Sequence, residues 1–231
     1  MSNLLKAEFY KLFHGRYFWE IALFNFILSS ILLLDSIGKT FNLLDASLYN
    51  IPILFFLIIV FCALYIGNDF EQKTLYSYIS GGHKRSQVIF AKAIVYETAG
   101  IGILYFPLFI HSVLGVFLRK ETFDFDKIWN LMMPAFFATL AMCMLPYFFA
   151  VLFRDLGRSL VVPMFLYFLM IFLMNGDLAQ QITRILPMGQ LRLISLQETS
   201  GVDSNYLVKD IWWIIILYGG SYLCFWRSDL K

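Results

Sequence analysis

"IPILFFLIIVFCALYIGNDFEQKTLYSYISGGHKRSQ", residues 51–87, decides how this chain folds. Its opening run, 51–66, carries no charge. It then turns polar, passes through Gly81-Gly82, and returns to apolar sequence. About 20 apolar residues in a helix cross the roughly 30 Å hydrocarbon layer of a bilayer. The stretch therefore reads as a membrane span that surfaces in a polar connector and dives back.

The rest of the chain has the same character. Of its 231 residues 60% are hydrophobic and only 15% charged, against about 25% charged in soluble domains. "SLVVPMFLYFLMIFLMNG" (159–176) also lacks charge. Six spans are expected, at about 17–35, 50–67, 87–118, 128–152, 159–175 and 208–226, making one all-α transmembrane domain over 1–231. All five tryptophans, Trp19, Trp129, Trp212, Trp213 and Trp226, fall at the ends of these spans, at the headgroup level that their amphipathic rings prefer. Cys62, Cys143 and Cys224 lie in apolar runs without ligand spacing, which reads as buried free thiols.

With six spans both termini share a side. Lys and Arg divide eleven to seven in favour of that side, and "FRDLGR" (153–158) alone supplies two arginines. Positive residues favour the cytoplasm, so both termini are expected there, in an inner (cytoplasmic) membrane. Residues 2–14 place Leu5, Phe9, Leu12 and Phe13 at helical spacing beside Lys6 and Lys11. This predicts an amphipathic elbow helix on the membrane surface rather than a cleavable signal.

Residues 68–80 predict a short helix. Asn68 with Glu71 three residues on is a helix-start pattern, and Gly81-Gly82 is a stop. Phe70, Leu75, Tyr78 and Ile79 fall near one face, with Asp69, Gln72 and Lys73 on the others. Periodicity alone leaves two readings open, a helix resting on lipid or an apolar ridge that docks into a partner's groove.

Charge inside a span is costly and usually functional. Glu97 lies nine residues past 88, about 14 Å along a helix, so it should face protein or a wet cavity, or be protonated. It is expected to line a pathway or a dimer interface. His111, in the outer part of the same span, reads most simply as a satisfied polar group, and Glu20 as a headgroup-level residue beside Trp19. In "DLAQQITRILPMGQLRLISL" (177–196), Leu178, Ile182, Ile185 and Leu186 suggest an outer-leaflet or re-entrant helix between spans five and six.

Catalytic patterns are lacking. "GGHKRS" (81–86) does not have the spacing of a phosphate-cradling Walker loop. There is no G-x-S-x-G turn and no H-E-x-x-H. An enzyme is not expected, and neither is nucleic-acid binding, a metal or a resident cofactor.

The elbow "LLKAEFYKLFHGRYFW" (4–19), the segment "GNDFEQKTLYSYISGGHKRSQVIFAKAI" (67–94) and the tail "FWRSDLK" (225–231) together resemble the membrane subunits of type-2 ABC exporters. The matching residues are Gly67, Asp69, Phe70, Glu71, Thr74, Leu75, Lys84, Arg85 and Ala91-Lys92. The resemblance implies that 68–80 is the coupling helix, docking through Asp69, Phe70, Glu71, Lys73, Thr74, Leu75 and Tyr78 into a separate ABC ATPase. Two ATPase copies would hold ATP and Mg. It implies a second permease copy, as a homodimer or a sister chain, and an amphipathic or hydrophobic peptide as cargo. Toxin export and self-immunity against antimicrobial peptides are both expectations of such small six-span members. A non-transporting assembly or sensor protein is the rival from another class.

Overall fold

The computed structural model describes residues 1–35, 42–119, 125–174, 184–196 and 204–227. Among them every regular element is helical. They are α1 (Ser2–His14), α2 (Arg16–Asp35), α3 (Leu43–Leu54), α4 (Phe56–Cys62), a π-helical turn (Ala63–Gly67), α5 (Asn68–Glu71), α6 (Thr74–Ser80), α7 (Arg85–Arg119), α8 (Phe125–Phe153), α9 (Leu156–Met174), α10 (Pro187–Ser195) and α11 (Ser204–Trp226).

Among the described residues five helices are long and apolar enough to cross a membrane: α2, α7, α8, α9 and α11. A sixth candidate is the pair 43–54 and 56–71, bent by 49° at its break. The second span therefore starts earlier than the predicted residue 50 and is not straight. Two contacts with α7 measure its reach. Ser47 of α3 meets His111, and Asp69 of α5 meets Lys92. Those α7 residues are 19 positions apart, about 28 Å at 1.5 Å per residue, nearly the thickness of a bilayer core. The bent pair thus runs the full height of the bundle.

Breaks in helices free carbonyls, and buried side chains collect them. Pro107 interrupts α7 and removes the N–H that would serve Ile103. Asn25 of α2 donates its amide to that carbonyl at 2.6 Å. Near the α3–α4 break, the Tyr167 hydroxyl donates to the Ile53 carbonyl at 2.7 Å. At the end of α11, Arg154 donates to Cys224 O and Arg85 to Trp226 O, each at 3.0 Å. Positive groups suit a helix C-terminus.

α8 is the most deeply buried span, while α2, α9 and α11 bury few of their residues. The bare faces are apolar: Leu23, Phe24, Ile27 and Ile31 on α2, and Phe165, Phe168 and Phe172 on α9. Soluble monomers rarely expose patches of this size. With no polar face between them, these helices suit a lipid surround.

Several expectations need correction. Helix 68–80 is two pieces, because Lys73 takes a left-handed turn at φ 58° between α5 and α6. Asn68 continues the helix from the π-turn instead of capping it, and its side-chain oxygen accepts from Gln72 at 3.0 Å. The Gly81-Gly82 stop does form, with Gly82 at φ 93°. Asp45 is buried in the first turn of α3. The expected outer helix falls partly outside the described residues, including Leu178 and Ile182. The described part, α10, is packed against α8 and α3, not laid on a surface. Its Gln190 turns its amide nitrogen to the buried Asp210 carboxylate of α11, at 3.0 and 3.1 Å.

Candidate functional site

Helix α1 buries Leu4, Glu8 and Leu12, an i, i+4, i+8 stripe with a carboxylate at its centre. Leu5 and Phe9 are partly buried beside it, and Phe13 is exposed. The inward face is therefore rotated from the one the apolar spacing predicted. The cause lies across the interface, where Lys92 of α7 sits 2.6 Å from the Glu8 carboxylate. Both side chains are about 1% exposed, a depth at which neither would stand alone.

Asp69 completes the arrangement. One of its oxygens takes Lys92 and the other takes Lys11 of α1. Two cations and two carboxylates from three elements thus form a neutral cluster. Tyr65, in the π-turn, donates its hydroxyl to Glu8 at 2.9 Å, and Lys92 lies over its ring at 4.4 Å from the centroid. A cation against an aromatic face gains up to about 2 kcal/mol when desolvated. Thr74 opens α6 by donating to the Asp69 carbonyl at 3.0 Å. The Tyr78 phenol, on the following turn, is pushed up to about 12 by burial and then by the nearby Glu8 and Asp69 carboxylates.

The π-turn is what aims these groups. Such single-turn bulges shift the register of the residues that follow. Its last residue, Gly67, passes so close to α9 that an added Cβ would lie 3.2 Å from Leu156 Cα. A side chain here would require the α9 backbone to give by a few tenths of an ångström.

The residues expected to form a docking ridge are mostly inside the chain. Phe70 is 3% exposed and packs edge-on against Phe225, and Leu75 is 1% exposed. Asp69 is buried in the charge cluster. As an exposed apolar knob the ridge is overturned, because α11 and α7 already fill its place. What remains outward is polar: Glu71, Gln72, Lys73, Ser77 and Ser80.

His111 is buried with both ring nitrogens engaged, by Ser30 at 3.2 Å and Ser47 at 3.1 Å. It ties α2, α3 and α7 together. Glu97 is buried inside the single chain. Glu20 is exposed near the start of α2.

Sequence reasoning missed Glu8, Tyr65 and the burial of Lys92. The signal was present: a glutamate midway between Leu4 and Leu12, and a lysine among the apolar residues of "VIFAKAIVY" (88–96). Compared with known proteins, the chain matches no family model and no curated relative.

Proposed function

We propose that this chain is the membrane subunit of an ATP-driven exporter of the type-2 ABC kind, moving amphipathic or hydrophobic peptides. A separate ATPase supplies the energy, and a second permease chain completes the pathway. The reading rests on the sequence resemblance and on one structural observation. The Glu8–Lys92–Asp69–Lys11 cluster fastens the elbow helix, the α5–α6 turn and the long span α7 to one another. A push on the polar face of α5 and α6 would pass into α7 through buried ion pairs, not through a pliable loop.

The docking surface in this proposal is the exposed set Glu71, Gln72, Lys73, Ser77 and Ser80, with Phe70 and Leu75 holding it in place from beneath. The test is co-purification with an ATPase encoded beside the chain. Lys73→Glu combined with Ser77→Arg should abolish that association while membrane insertion stays intact. Unchanged association, or cargo transport by the purified chain without an ATPase, rejects the proposal.

A further inference from the structure

Glu97 has a setting unlike that of the other carboxylates. It lies on α7 five residues past Lys92, about 7–8 Å further along the helix. The residue is 7% exposed, and among the described residues neither of its carboxylate oxygens has a hydrogen-bond partner. The nearest buried cation on α7, Lys92, is already held by Glu8 and Asp69. The titratable groups that face Glu97 from packed elements are Cys62 of α4 and Cys143 and Tyr147 of α8, with Tyr96 on its own helix. All four are weak acids, and none can supply a counter-charge.

An ionised carboxylate in such a place is strongly disfavoured, and a group so placed neutralises instead. The cheaper state is the neutral acid. We infer that Glu97 is a proton-binding site within the spans: it holds its proton while the interior between α4, α7 and α8 is dry and releases it when water enters. The inference stands apart from the exporter reading, since it needs no ATPase and no cargo.

A protonated carboxyl in an apolar region has a diagnostic reaction. Its O–H proton passes to a nitrogen of a carbodiimide while the carboxylate oxygen bonds to the central carbon. The resulting O-acylisourea rearranges by oxygen-to-nitrogen acyl transfer to a stable N-acylurea, with no leaving group. The test uses the full chain in lipid vesicles. The infrared difference between wild type and Glu97→Gln at neutral and mildly alkaline pH should show loss of a carboxylic-acid carbonyl band. Glu97→Asp should retain such a band, which covers the case in which the Gln variant folds poorly. Dicyclohexylcarbodiimide should label wild type at the α7 peptide and leave Glu97→Gln unlabelled there. A carboxylate stretch in place of the acid band, or equal dicyclohexylcarbodiimide labelling of the α7 peptide in wild type and Glu97→Gln, overturns the inference.

Discussion

Lys92 is held by two carboxylates and a tyrosine ring, and it is fully buried. Removing one member of a buried ion pair strands the others, at a cost of about 3–5 kcal/mol. Lys92→Met should lower stability by that amount, read from denaturant unfolding in detergent. Lys11 bonds the same aspartate, but its side chain is 40% exposed, and exposed pairs contribute about 1 kcal/mol or less. Lys11→Ala should therefore be mild, and equal losses at the two lysines would reject this account of the cluster. At this scale the sequence was only half legible. Asp69 and Lys92 stood out through the family resemblance, and Lys11 through the elbow. Glu8 was hidden because an apolar-spacing rule reads any charge as outward, and a single helix does not reveal the lysine waiting on its neighbour.

Elements were more legible than side chains. The apolar runs gave the positions of the spans, since few charges interrupt them. The long third span and the Gly81-Gly82 stop were also readable. Breaks inside helices were not, because they answer to partners distant in sequence. The π-turn places Tyr65 and Asp69 on the cluster, and Lys73 turns left-handed just before α6, the helix that buries Leu75. Gly67 shows how tightly the turn is set. Gly67→Leu should destabilise the chain by about 1–3 kcal/mol, the usual range for overpacking. Gly102, on α7, has no atom within 4 Å of an added Cβ. Gly102→Ala should be neutral or gain up to about 1 kcal/mol from reduced chain entropy. Unfolding curves of the two variants separate close backbone approach from a general dislike of side chains in these helices.

Whether the bent pair 43–54 and 56–71 crosses decides on which sides the two ends of the bundle lie. If 43–54 and 56–71 returned to the side they left, five crossings would put the two termini on opposite sides. The contacts with α7 argue otherwise. Ser47 reaches His111 near one end of that helix, and Asp69 reaches Lys92 near the other. A re-entrant loop would bring both halves to the same end of α7. Single cysteines placed in a background free of Cys62, Cys143 and Cys224 can read this directly with a membrane-impermeant maleimide. Asn3→Cys, Gln72→Cys and Gly157→Cys, all at exposed positions, should label from one side of sealed vesicles. Asn42→Cys and Asn205→Cys, also exposed, should label only from the other. The decisive pair is Asn42 and Gln72, which flank the bend. Labelling of both from one side would mean that the bent pair does not cross.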